Sequence, residues 1–312
     1  MKILKYNWTK HGIIWKPLKI SEETYSHATG PTPIKLQDGV IRVFYTSRDS
    51  NGIGRVFWVD VDSANPTIIK SFSKKPVLDI GQPGMFDDNG VMATSVIRTS
   101  TGELYMYYAG FEICEKIRYR ILTGLAISKD NGETFNRYSE CPVLERADEE
   151  NYFRCGAHVT YENGTFRMWY IAGSSWIQLQ GVMYPKYNIR YFESADGINW
   201  PKDGSLVLET DETVHGYGRP WLLTDINGDS DLFYSARDIN TSKYSIGLAR
   251  KSRELGWHRV DSESGFNVGE ASFAQDSLMF ASFTRHENRL YCFYNGDQFG
   301  EQGFAFAEEQ ID

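Results

Sequence analysis

VIRVFYTSRD (40–49) returns four times along the chain, as ELYMYYAGFE (103–112), TFRMWYIAGS (165–174), DLFYSARD (231–238) and RLYCFYNGDQ (289–298). Each copy is an apolar, aromatic run that ends in small or polar residues. Anchored on Tyr45, Tyr108, Tyr170, Tyr234 and Tyr294, the copies stand 63, 62, 64 and 60 residues apart. A period of this size means one supersecondary unit repeated along the chain, and it decides the architecture.

The surroundings of each anchor repeat as well. An apolar strand precedes it (TPIKL, VMATSVI, AHVTY, RPWLL, SLMFASF), and another follows (RVFWVDV, LTGLAIS, NIRYFES, SIGLARK, GFAFAEE). Four of the five units then add a short edge strand rich in Trp or Phe. Four antiparallel strands repeated about an axis make a propeller blade, an arrangement that leaves only short edges exposed. The fifth unit stops after its third strand, whereas HGIIWKP (11–17) resembles the fourth strands GETFNRY (132–138) and DGINWPK (196–202). The expected fold is therefore all-β. It is a five-bladed β-propeller with four-stranded antiparallel blades, one domain over residues 1–312, closed by the N-terminal strand pairing with residues 303–308.

Composition agrees with this reading. Of the 312 residues 14% are aromatic and 28 are Gly, a mixture suited to half-buried strands joined by tight turns. The net charge of −8 argues against nucleic acid as partner, since phosphate binding needs a basic surface. MKILKYNWTK lacks the apolar run of a secretory signal, and no stretch approaches the ~18 apolar residues of a membrane span. Cys114, Cys141, Cys155 and Cys292 are scattered without metal-ligand spacing and read as reduced thiols. A cytoplasmic protein with a small-molecule or oligosaccharide ligand and no cofactor is expected. No short-range spacing such as HExxH supports a catalytic metal.

Two turns sharpen the picture. Ser128-Lys129-Asp130-Asn131-Gly132-Glu133-Thr134-Phe135 fits S-x-D-x-G-x-x-[FW], and Ser194-Ala195-Asp196-Gly197-Ile198-Asn199-Trp200 is one residue shorter. They are similar to the Asp-box hairpins of sugar-processing propellers and read as structural: Asp caps turn amides, and Gly takes the left-handed position. The five-unit period and the short turn together resemble the arabinanase, levansucrase and invertase superfamily of five-bladed propellers, including glycoside hydrolase family 43. That resemblance implies an Asp opening blade 1, an Asp in blade 2 and a Glu in blade 3, all facing the axis. Here the first position offers His27, the second Asp87 and Asp88. The third, Asn151 to His158, has no Glu, and Glu149 and Glu150 beside it read as exposed loop residues. The implied triad has departed.

The expected strand topology places blade-opening residues and the residues after each Tyr anchor around one funnel. Asp88 and Asp276, with Asp87 as alternative to Asp88, are the candidate acid and base, because paired carboxylates from different blades can act on a glycosidic bond. Candidate ligand-binding residues are His27, Arg48, Glu112, Arg154, His158, Trp176, His215, Tyr217, Arg219 and Arg237. Trp176 and Tyr217 would stack on a sugar ring. The arginines suit an anionic group, since guanidinium forks bind phosphate or carboxylate bidentately. The pairs Arg48-Asp49 and Arg237-Asp238 have a second reading, as internal salt bridges bracing their loops. Two functional expectations follow. One is a carbohydrate-active enzyme; the other is a non-catalytic glycan- or protein-binding propeller, for which service in surface polysaccharide synthesis is one role.

Overall fold

The computed structural model describes residues 5–36, 39–224, 229–252 and 254–310. β1 (Trp8–Trp15) opens the chain. β2 (Ser26–Lys35), β3 (Val40–Arg48), β4 (Gly54–Asp62) and β5 (Ile69–Phe72) follow and form one antiparallel sheet. Next come β6 (Val91–Arg98), β7 (Leu104–Ile113), β8 (Tyr119–Ser128) and β9 (Asn136–Arg137), then β10 (Phe153–Glu162), β11 (Thr165–Leu179), β12 (Val182–Ser194) and β13 (Ser205–Leu208). β14 (Val214–Thr224), β15 (Ser230–Asp238), β16 (Tyr244–Ser252) and β17 (Gly256–Arg259) precede β18 (Met279–His286), β19 (Arg289–Asn295) and β20 (Phe304–Glu309).

β18, β19 and β20 make a sheet with β1, whose partners run from Trp8↔Glu309 to Trp15↔Phe304. The pairing anticipated for the N-terminal segment is thus present, and it buries Trp8 and Trp15. β6 to β17 form one 12-stranded sheet, where the repeat predicts separate four-stranded ones. The cause is local. Two short parallel ladders, Phe153↔Ile121 with Arg154↔Leu122, and Tyr187↔Gly216, splice successive antiparallel groups together. The edge strand expected within DGINWPK lies later, at β13. Asp196 takes the amides of Ile198 and Asn199 into its turn, and Pro201 has no N–H to give a ladder.

The Tyr anchors hold more than apolar surface. Tyr108 donates to Asp87 at 3.0 Å, Tyr170 to Glu150 at 3.0 Å and Tyr234 to Asp261 at 2.5 Å. Each carboxylate also pairs with an arginine: Arg137 at 2.8 Å, Arg154 at 2.7 Å and Arg259 at 2.7 Å respectively. Glu150 is accordingly buried, at 2% exposure, and not the exposed loop residue that its flanks suggest. A charge without water is held only where opposite charge and hydrogen bonds surround it, and Tyr170, Arg154 and Arg190 supply both.

The first strand after each turn of the repeat, β2, β6, β10, β14 and β18, shifts register at one equivalent step. The shift falls just before Thr32, Ser95, His158, Trp221 and Ser282. Two residues earlier stand Gly30, Ala93, Gly156, Arg219 and Phe280, four of them with positive φ (65°, 62°, 47° and 59° for Gly30, Gly156, Arg219 and Phe280). Such bulges re-aim a side chain. Glycine takes that conformation freely, whereas in Arg219 and Phe280 it is strained.

Candidate functional site

Arg48 and Arg237 occupy matching places in YTSRD and YSARD, one residue before an Asp that starts a hairpin turn. Each Asp folds back onto its own turn. Asp49 accepts the amides of Asn51 and Ile53 at 2.8 and 2.9 Å and pairs with Arg55 at 2.9 Å. Asp238 accepts those of Asn240 and Thr241 at 3.0 and 2.8 Å. The salt-bridge reading of the two Arg-Asp pairs therefore fails. Among the described residues neither Arg48 nor Arg237 is ion-paired with a carboxylate.

Aromatic rings take the place of carboxylates. The Arg48 guanidinium lies 5.9 Å from the Phe299 ring centre, and Arg237 lies 4.8 and 5.1 Å from those of Tyr184 and Tyr244 while donating to the Ser242 carbonyl at 3.1 Å. Phe299 and Tyr244 are 6.1 Å apart, so one aromatic wall connects the two cations. It continues through Tyr187, whose hydroxyl is 2.6 Å from that of Tyr244, to Phe153 and Trp176 at centroid steps of 5.8 and 5.7 Å. Trp176 edges a depression of about 320 Å³ that Cys114, Lys116, Arg118 and Met183 also line. His27 bonds Ser26 Oγ at 2.8 Å; burial first, then the Arg48 charge, pull its pKa down to about 4. It is a neutral imidazole at pH 7. His215 stands behind Arg237, its Nδ1 2.9 Å from the Pro185 carbonyl, and burial lowers its pKa too.

Tyr184, Tyr187 and Phe153 are the residues that sequence reasoning missed, together with Tyr244 and Phe299. The β11–β12 hairpin explains the first two. Its ladder runs on from Ser175↔Lys186 to Leu179↔Val182 and closes on Gln180-Gly181, both at positive φ. The Gln-Gly step between two runs rich in β-formers was the available signal.

The candidate carboxylates differ in their freedom. Asp88 is half-buried and meets no cation among the described residues: Oδ2 accepts the Gly84 amide at 2.8 Å and Oδ1 the Asn89 side chain at 2.5 Å. Asp87 has no exposed surface and is bound by Tyr108 and Arg137. Asp276 is exposed and pairs with Lys243 at 2.6 Å. Glu112 pairs with Arg120 at 2.6 Å. Arg154 is consumed by Glu150 and by the carbonyls of Glu145 and Lys202. Tyr217, anticipated as a stacking platform, is fully buried against Tyr234 at 5.0 Å, which leaves no face for a ligand. His158 and Arg219 are buried as well, at 6% and 2% exposure, where β2, β10, β14 and β18 converge. Among the described residues no group of three His, Cys, Asp or Glu side chains is arranged to hold a metal ion, and no helix is long and apolar enough to cross a membrane.

Comparison with known proteins gives the family and the fold. Residues 30–255 match the family described as glycosyl hydrolases family 32 N-terminal domain, and the protein is a member of that family. It is similar to the uncharacterized protein Rv1502 of Mycobacterium tuberculosis, 29% identical over 301 residues that cover 96% of this chain and 98% of the relative. Among solved structures it resembles BT0996 as seen in an RGII complex, with TM-score 0.73, 18% identity, and coverage of 98% of this sequence and 92% of that one. It also resembles a structure described under the GH130 family of mannoside phosphorylases, which contains glycoside hydrolases that target beta-1,2 mannosidic linkages in Candida mannan. There the TM-score is 0.70 at 13% identity, covering 99% of this chain and 95% of the other. At such identities the likeness shows the fold. Family and fold together support a carbohydrate-active enzyme.

Proposed function

We propose that this protein is a glycosidase- or glycosyl-transfer-type enzyme whose funnel takes an anionic sugar, one bearing phosphate or carboxylate. In this reading residues 1–312 are a single five-bladed propeller, in which the 12-stranded sheet is three blades joined by the parallel ladders at Phe153↔Ile121 and Tyr187↔Gly216. The observation that carries the ligand class is the pair Arg48 and Arg237: partly buried, without carboxylate partners, and connected by the Phe299–Tyr244 wall. A guanidinium in that setting attracts an oxyanion more strongly than in water, because little solvent screens it. Trp176 offers an apolar face for a sugar ring. Asp88, the carboxylate without a cation, is the acid or base, and Asp276 is its partner once Lys243 is displaced. The family-43-like triad is replaced at blade 1 by His27.

A second reading, a non-catalytic glycan-binding propeller, is favoured by one observation: Asp87 and Asp276 both stand in ion pairs. Calorimetric titration with sugar phosphates, uronic acids and their neutral counterparts tests the ligand class. Binding of the anionic series that drops at least tenfold in both Arg48→Met and Arg237→Met supports it, and equal affinity for neutral sugars refutes it. Turnover of a bound ligand then separates enzyme from binding module.

A further inference from the structure

The fold contains a second cationic place, distinct from Arg48 and Arg237. We propose that β2, β10, β14 and β18 enclose a binding site for a small monovalent anion of chloride size, held by the Arg219 guanidinium and the His158 imidazole. The inference is independent of what the funnel binds.

Hydrogen-bond accounting points to it first. A guanidinium carries five N–H bonds and no acceptor. Nη1 of Arg219 donates to the Phe280 carbonyl at 3.2 Å and Nη2 to Thr32 Oγ1 at 2.5 Å, while Nε has no partner among the described residues. Among the described residues His158 has no partner on either ring nitrogen. Both side chains lie on the same indole: the His158 ring is 4.4 Å and the Arg219 guanidinium 6.0 Å from the Trp221 ring centre. Donors from two strands therefore gather in one buried place where protein acceptors are too few, and buried donors are normally satisfied.

Charge decides the ligand class. No carboxylate pairs with Arg219 among the described residues. Cys292, the ionisable group that acts on it, is itself buried, and burial raises its pKa well above that of a free thiol, so it stays uncharged. A metal cation beside His158 would be repelled by the guanidinium. A water molecule would answer the orphaned N–H groups and leave the charge unbalanced. An anion does both. Gly30 and Gly156 hold positive φ at the equivalent steps of β2 and β10, and a methyl group on Gly30 would press on Met92 Sδ at 3.1 Å, with Arg219 Nη1 at an ordinary contact distance of 3.7 Å. Arg219 keeps the same conformation despite its side chain, a strain that neighbouring contacts must hold in place.

Long-wavelength anomalous diffraction from protein purified and crystallised in sodium chloride decides the matter, with the sulfurs of Met92 and Cys292 as the internal scale. The expected result is an additional peak of sulfur-like height beside Arg219 Nε and His158; peaks on the sulfurs alone mean water there and overturn the proposal. Equilibrium urea unfolding gives a second readout at constant ionic strength, with gluconate replacing chloride. Each tenfold rise in chloride should lower the unfolding constant by up to tenfold, by mass action. Arg219→Met should abolish that dependence. A chloride-independent wild type, or an undiminished dependence in Arg219→Met, counts against the site; if the variant does not fold, the wild-type map alone decides.

Discussion

Replacing Glu150 by Gln should destabilise the protein severely. Glu150 is 2% exposed, accepts a hydrogen bond from Tyr170 at 3.0 Å and is ion-paired with Arg154 at 2.7 Å and Arg190 at 3.4 Å. Burial pushes its pKa up in spite of Arg154 and Arg190, so the ion pair is no large asset compared with an apolar core. The cost of the substitution arises elsewhere, in the Arg154 guanidinium that stays buried without its counter-charge. Removing one partner of a buried pair costs about 3–5 kcal/mol. For a protein of this size that corresponds to a fall in Tm on the order of 10 °C. Urea unfolding and calorimetry measure it directly. The double variant Glu150→Gln/Arg154→Met should recover much of the loss, because the stranded charge goes with it. An unchanged Tm in Glu150→Gln, with ligand turnover abolished, would show that Glu150 serves the substrate and that the bracing argument is wrong.

Burial holds His158 at about 3 and His27 at about 4, both below the ~6.5 of a free imidazole. The unfolded state therefore takes up more protons between those values, so stability is full above about pH 6.5 and falls as pH drops toward 4 and then 3. Urea midpoints across that range should fall less steeply in His158→Gln than in wild type, and parallel curves would contradict the assignment. Asp88→Asn should lower turnover of an identified substrate by about 10²–10⁴-fold with little change in Tm. Asp87→Asn should do the reverse, lowering Tm because the amide keeps an acceptor oxygen but removes the charge that balances Arg137; kinetics and calorimetry on the two variants side by side separate the roles.

How much of this was legible in the sequence depends on how local the signal is. Strand order and the pairing of the first and last strands followed from a period of about sixty residues, which repeated hydrophobic runs report faithfully. The 12-stranded continuity did not, because a single pair such as Tyr187↔Gly216 leaves no mark in a hydrophobic pattern. Site residues were mixed in the same way. Position after a Tyr anchor grouped Arg48 with Arg237, which the structure joins through the Phe299–Tyr244 rings, and named Trp176, which edges a depression. Position before an inner strand grouped His27 with Arg154, His158, Tyr217 and Arg219, four of which are buried. Bulges at the start of those strands alternate side chains out of simple register, so sequence spacing alone could not say which of them faces a ligand.

Arginines in this fold differ in whether a carboxylate meets them. Arg42, Arg55, Arg137, Arg154, Arg250 and Arg259 each meet an Asp or Glu within 2.9 Å. Arg48, Arg219 and Arg237 meet none among the described residues. Scarcity of acid does not explain the difference, because the sequence carries 41 Asp and Glu against 33 Lys and Arg. Nor does distance along the chain: Asp49 and Asp238 are the immediate neighbours of Arg48 and Arg237, and both carboxylates are turned onto backbone amides instead. Unpaired guanidinium groups kept partly or wholly out of water are unfavourable for the empty protein. An anion would offset that cost, and on the proposed reading this is the reason to search for ligands among phosphates and carboxylates before neutral glycans.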